Sequence, residues 1–210
     1  MEDLRLEVTK KLVEINTIKI SPESPFTWAS GWKSPIYCDN RKVLSYPTVR
    51  SFIAKKFAEL VRMKYPNAEV IAGVATGAIA HGVLVAEELG LPFVYVRSKP
   101  KDHGLENLIE GDLNPGQRVV IIEDLVSTGV SSLKAAEAIR NFGGDVLGML
   151  AIFTYDFTIA KENFEEASIE LTTLSKYQDL LELALSNGDI TEDQKQDLDG
   201  WRKDPAHWGR

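Results

Sequence analysis

Apolar and polar positions follow several different periods along the 210-residue chain, and each change of period marks an element. Leu4, Leu6, Val8, Leu12, Val13 and Ile15 recur mainly at helical spacing with charges between them, which predicts an amphipathic helix ending near Asn16. From Ile18 to Arg41 the pattern turns irregular, interrupted by Pro22, Pro25, Gly31 and Pro35 and carrying Trp28, Trp32 and Tyr37. Ser45 is a capping residue just ahead of Tyr46-Pro47, so a helix should begin there and run to about Tyr65, where Pro66-Asn67 stops it. Glu69 to Val74 is the first core strand, followed by the small-residue turn Gly73-Val74-Ala75-Thr76-Gly77-Ala78 and a helix closed by Gly90. Leu91 to Val96 and Val146 to Thr154 read as further strands, and Val119 to Ile122 as a short strand buried on both faces. Val130 to Phe142 is helical and ends at Gly143-Gly144. A short helix over Ile159 to Glu166 and a strand around Ile169 to Leu174 follow. Tyr177, Leu180, Leu181, Leu183, Ala184 and Leu185 then form an apolar helix face, and Thr191-Glu192 caps a last helix. Trp201 and Trp208 imply that this tail packs against the body or a partner subunit.

Strand, helix and strand alternating at these spacings imply right-handed crossovers and an α/β fold, a mainly parallel central sheet flanked by helices. The expected organisation is one domain over 1–210: an N-terminal helix and hood segment (1–45), an α/β core (46–175) with a long loop at 97–117, and a helical tail (176–210). Sites in such sheets lie at the carboxyl ends of the strands. Composition narrows the function. Lys plus Arg number 24 against 31 Asp plus Glu, a net charge of −7 with no basic block, which disfavours nucleic acid as a partner. The lone Cys38 and a start, Met-Glu-Asp-Leu, without basic and apolar leader regions fit a cytoplasmic protein. No apolar run approaches the ~20 residues that would cross a membrane.

The chemistry concentrates in Arg118 to Ser132, Arg-Val-Val-Ile-Ile-Glu-Asp-Leu-Val-Ser-Thr-Gly-Val-Ser-Ser. The strand should end at Glu123 and Asp124, with Leu125 to Gly129 forming a turn before the helix. A hydroxyl-rich turn with glycine at a helix start presents free backbone N–H groups and the positive end of a dipole, which suits a phosphate. Two carboxylates beside a phosphate would repel it unless they hold something else, and vicinal sugar hydroxyls fit, because one carboxylate accepts from both at once. The stretch therefore reads as a ribose-phosphate binder. The triphosphate-binding Gly-Lys-Ser/Thr triplet occurs nowhere in the chain. The turn after Val74 reads equally as a tight connection or as a second set of N–H groups facing an anion. His81, one helical turn later, is a surface or packing residue on general grounds. About twenty residues separate Val96 from Arg118, long for a connection in a compact domain and suited to a lid.

The acid-acid-hydroxyl stretch resembles the phosphoribosyl diphosphate (PRPP) motif of type I phosphoribosyltransferases. Two further stretches resemble orotate phosphoribosyltransferases in particular: Phe26-Thr27-Trp28-Ala29-Ser30-Gly31-Trp32-Lys33-Ser34-Pro35 is similar to the family's base-binding segment, and Arg97-Ser98-Lys99-Pro100-Lys101-Asp102-His103-Gly104 to its catalytic loop. The resemblance implies the type I phosphoribosyltransferase fold and transfer of phosphoribose from PRPP to orotate. It places Glu123 and Asp124 on the ribose and gives the 5-phosphate to Leu125, Val126, Ser127, Thr128, Gly129, Val130 and Ser131. Arg97, Lys101 and His103 fall on the pyrophosphate, in a loop that reaches the neighbouring subunit's site, so a homodimer is expected. Ser127 also lies where the family reaches orotate. Where some members place an arginine for the orotate carboxylate, this chain has Tyr155-Asp156-Phe157.

The reaction supports the same roles. Displacing pyrophosphate from the anomeric carbon leaves positive charge on the ribose and negative charge on the leaving group. Mg²⁺ bound mainly through PRPP, with no ligand set of its own on the chain, would help balance the latter. Lys101, His103 and Asp124 are the catalytic candidates, Lys101 for leaving-group charge and His103 as a hydrogen-bond or proton donor. On the base side, Tyr37 could stack on the pyrimidine while Lys33 or Arg41 faces its carboxylate.

Overall fold

The computed structural model describes residues 2–28, 31–99 and 108–208. Helix α1 (Glu2–Glu14) buries Val8, Thr9 and Leu12 on one face. The stretch that reads as irregular contains two small antiparallel ladders. Strand β1 (Ile18–Ile20) pairs with β4 (Ile36–Cys38), while β2 (Phe26–Thr27) pairs with β3 (Lys33–Ser34) in a hairpin between them. Strands of two or three residues are too short to display a period of two, which is why patterning misses them. A 3-10 helix over Asn40–Ser45 leads into α2 (Pro47–Lys64). The expected cap at Ser45 is not observed: Ser45 closes the 3-10 helix, Tyr46 occupies the N-cap without a side-chain bond, and its N–H donates to the Val43 carbonyl.

The core then follows the predicted alternation: β5 (Val70–Val74), α3 (Ile79–Leu89), β6 (Phe93–Val96), β7 (Ile109–Glu110), β8 (Arg118–Val126), α4 (Val130–Phe142), β9 (Asp145–Thr154), α5 (Thr158–Glu166) and β10 (Leu171–Lys176). Six strands lie in the order β10-β9-β8-β5-β6-β7, parallel except for β7 against β6. Val119 to Ile122 at its centre are fully buried, each worth about 1.5–3 kcal/mol relative to exposure. Helices α6 (Tyr177–Asn187) and α7 (Glu192–Lys203) follow, α7 opening with a capping box between Thr191 and Gln194. Trp201 has no exposed surface, so the tail packs on the body of its own chain through this residue.

One boundary differs in a way that matters to function. Strand β8 does not end at the acids but runs three residues past Glu123, with Leu125 opposite Phe153 and Val126 opposite Thr154. Acidic residues are poor strand formers, yet here the ladder to β9 carries the backbone through them. Glu123 and Asp124 are therefore held by the sheet, not by a turn.

Candidate functional site

The carboxyl ends of β5 and β8 are adjacent, with Gly73 opposite Ile122. A cleft of about 280 Å³ opens there between Ala75-Thr76-Gly77 and Glu123-Asp124-Leu125, with Cys38, Asp39 and Arg41 of the hood along its rim. A larger cleft of about 630 Å³ borders it, sharing Val74, Ala75 and Ser131 and adding Arg97, Ser98, Thr128 and Lys134.

The two acids differ in environment. Glu123 is 4% exposed, and both its oxygens are occupied: Oε1 accepts from the Asp124 N–H at 2.9 Å and Oε2 from the Ser132 hydroxyl at 2.7 Å. Burial, then the charge of Asp124, pushes the Glu123 carboxyl well above the usual carboxylate range. Asp124 is half-buried and lines the cleft. Its side chain lies against Gly77 so closely that a Cβ there would come 2.2 Å from Oδ2, which explains glycine at 77. Its carbonyl accepts from the amide of Asn40, a buried hood residue, at 2.6 Å. The Cys38 thiol lies 3.4 Å from the other end of that amide, and burial pushes this thiol up.

The turn after β8 presents Ser127, Thr128 and Gly129 to the start of α4. Gly129 has φ +81, and a Cβ there would also come 2.7 Å from the Phe164 ring, so only glycine fits. Thr128 and Ser131 line the larger cleft. The Val126 side chain faces the core, leaving that residue only its backbone to offer. Asn163 of α5 donates to the Thr128 carbonyl at 2.9 Å and steadies the turn.

Arg97 reaches this cleft and is paired there, its Nη1 lying 3.3 Å from Glu110 of β7. Lys101 and His103 lie outside the described residues. On the base side, Arg41 lines the small cleft with its Nε bonded to Asp39 at 2.6 Å, which raises its pKa further. Lys33 donates to Thr27 across the hairpin at 2.8 Å, and the Tyr37 ring is 42% exposed, 5.6 Å from Phe26. Lys33 and Tyr37 are not part of the cleft wall. His81 is buried at 2% exposure beside the Asn40 backbone and Asp124; burial holds its pKa down. It is a packing residue behind the site.

Sequence reasoning missed two residues that the structure brings in. Lys134 lies one turn into α4, in phase with Val130, and adds a cation to the wall of the larger cleft. Asn40 ties the hood to Asp124 across 84 positions of sequence, a separation that no local pattern reveals. Among the described residues no three His, Cys, Asp or Glu side chains converge as a metal site, and no helix is long and apolar enough to cross a membrane.

A parallel sheet with paired acids and a hydroxyl turn at the carboxyl ends of neighbouring strands defines a class of protein that grips a sugar phosphate. A family profile described as Pribosyltran, phosphoribosyl transferase domain, matches residues 43–161. An orotate phosphoribosyltransferase of Phocaeicola vulgatus is 60% identical over 208 residues, covering 99% of this chain and 98% of that one. Among solved structures, the orotate phosphoribosyltransferase of Aeropyrum pernix superposes with a TM-score of 0.76 at 27% identity, over 88% of this chain and 99% of that one. The UMP synthase of Leishmania donovani superposes with a TM-score of 0.78 at 29% identity over 94% of this chain, which spans 42% of that longer protein. The chain belongs to the orotate phosphoribosyltransferase family, and its architecture is the type I phosphoribosyltransferase fold.

Proposed function

We propose that the protein transfers the phosphoribosyl group of PRPP to orotate, giving orotidine 5′-phosphate and pyrophosphate in pyrimidine biosynthesis, as a Mg²⁺-dependent cytoplasmic homodimer. The observation that carries the reading is the carboxylate of Asp124 in the small cleft, which shares Ser131 of α4 with the larger cleft lined by Thr128 and Val130. Ribose hydroxyls meet Asp124, and the 5-phosphate meets the backbone of Leu125 to Ser131. Glu123 shapes the site through the Asp124 backbone, and would reach a hydroxyl directly only by exchanging its bond to Ser132.

As positive charge grows on the ribose ring, the Asp124 carboxylate stabilises it from a fixed position, with no reorganisation at the moment of reaction. Arg97 and Lys134 contribute cations toward the diphosphate, Arg97 by leaving Glu110. Lys101 is assigned to the charge of the departing pyrophosphate and His103 to hydrogen-bonding or protonating it, both acting across the dimer. The residues fit a Mg²⁺ carried in by PRPP, since Asp124 offers the cleft one hard oxygen donor; when bound, the ion would neutralise diphosphate charge. On the base side Tyr37 is assigned to stacking, with Ser127, Lys33 and Arg41 as the polar contacts to orotate.

Mixing purified protein with orotate, PRPP and Mg²⁺ and following orotate absorbance tests the reaction. Orotate should be consumed; no loss under conditions that support a control enzyme would overturn the assignment, and turnover only with hypoxanthine, guanine or adenine would reassign the base. Lys101→Ala should slow turnover by on the order of 100-fold in a folded protein, as loss of a transition-state charge does. Unchanged turnover would remove Lys101 from its role.

A further inference from the structure

Among the described residues the tail contributes none to either cleft wall, yet Trp201 and Arg202 of α7 both end on the base side. Trp201 of α7 is fully buried in an aromatic cluster. It meets Trp28 edge-on at 5.8 Å, Tyr155 at 5.7 Å and Phe157 at 5.3 Å. Its indole N–H leaves this apolar setting to donate to the backbone carbonyl of Lys33 at 3.0 Å, across 168 positions of sequence. The neighbouring Arg202 donates from Nη1 to the carbonyl of Asp156 at 3.0 Å, in the loop where β9 exits the sheet. Asp156 has φ +55, and Trp28 packs on Tyr155 at 4.9 Å, so the hairpin and the exit loop also touch each other.

These contacts are poorly explained as a tail merely covering apolar surface. Burying a Trp ring needs no particular partner for its N–H beyond a nearby acceptor, and Arg202, which lies 3.9 Å from the Asp156 carboxylate, aims its closer bond at the backbone of that residue. Here consecutive residues reach backbone carbonyls of two different loops, and a bond to a backbone fixes where a loop sits whatever side chains it carries. The hairpin has only two paired residues in each strand, too little ladder to hold its own position. The Tyr177 hydroxyl, donating to the Leu198 carbonyl at 2.9 Å, in turn fixes α7 to α6 just before the clasp.

We infer that Trp201 and Arg202 are positioning residues for the base side: helix α7 clasps the β2–β3 hairpin and the β9 exit loop, setting the place of Lys33 and its neighbours, and so tunes capture of the pyrimidine without touching it. The inference rests on the orotate reading. Its prediction is a division of kinetic effects that a purely structural tail would not produce.

The test compares wild type with Trp201→Phe, which keeps a ring in the cluster and removes the N–H, and with Arg202→Met, which keeps the apolar stem and removes the donor. In either variant KM for orotate should rise about fivefold or more, the scale of one lost hydrogen bond, while KM for PRPP stays within about twofold. Amide hydrogen exchange should accelerate in residues 26–28 and 31–34 and remain at wild-type rates in 118–126. A lowered Tm with both KM values unchanged, or a proportionate rise in both, would overturn the inference and leave the reaction assignment standing. A wild type that consumes no orotate would overturn the reaction assignment, and the kinetic claim with it.

Discussion

The acid-and-turn segment and the proposed base side are built in opposite ways. The acids, the turn and the helix N-terminus proposed to hold ribose and phosphate all come from one run of chain, residues 118–134, stiffened by a central strand paired on both sides. The proposed base side, outside both cleft walls, takes the β2–β3 hairpin, the loop at 155–157 and a clasp from residues 201–202, held by contacts spanning 46 and 168 positions. A local site carries its geometry in its own backbone. An assembled site borrows its geometry from packing, so it is free to vary in sequence but depends on the whole fold.

Substitutions can break that contrast. The largest effect on stability is expected from Trp201→Ala, which empties the centre of the aromatic cluster and should cost about 3–5 kcal/mol. Chemical denaturation will measure it, and a cost below about 1 kcal/mol would mean that the tail does not hold the base side. Asp124→Asn should next lower kcat/KM for PRPP by on the order of 100-fold in a protein that melts normally. If orotate affinity alone changed, the ribose assignment would be wrong. Gly77→Ala attacks the same carboxylate from outside its own segment, since the new methyl must displace Asp124 or the turn. A loss of about tenfold in PRPP kcat/KM, with orotate KM little affected, is the expected result in steady-state assays. The smallest effect concerns pH. Because the folded-state pKa of Glu123 is raised above its ordinary 4.5, its contribution to stability is fully present below that value and is lost as pH rises through the folded one. Glu123→Gln cannot titrate, so its Tm should gain on wild type by on the order of a few degrees as pH increases from about 4.5. A constant difference across that range would show that Glu123 carries no such penalty.

The same contrast explains what could be read from residues alone. The strand-helix alternation, the sheet class and the acid-hydroxyl run were legible because period and composition are local signals. Even there the end of β8 was misread, because Glu123 and Asp124 look like a strand exit until the pairing of Leu125 and Val126 with β9 is known. Strand β7 was invisible: two residues, Ile109 and Glu110, join the sheet edge and give Arg97 its carboxylate. The roles of Asn40, Lys134 and Trp201 were hidden for a different reason, since each depends on which residues a distant segment brings alongside. Trp201 advertised burial by its type, but not the carbonyl it would reach.

The bond from Trp201 to Lys33 also bears on the order in which the molecule is completed. Its partners are nearly the whole chain apart, so closing that loop costs more entropy than any contact within the β8-turn-α4 unit. During refolding, or on a ribosome that releases the last helix last, the sheet and its phosphate turn are expected to form before the hairpin is clasped. On the proposed roles, the chain would then pass through a stage in which the sugar-phosphate segment is formed while the base side has no settled place, and α7 would be what settles it.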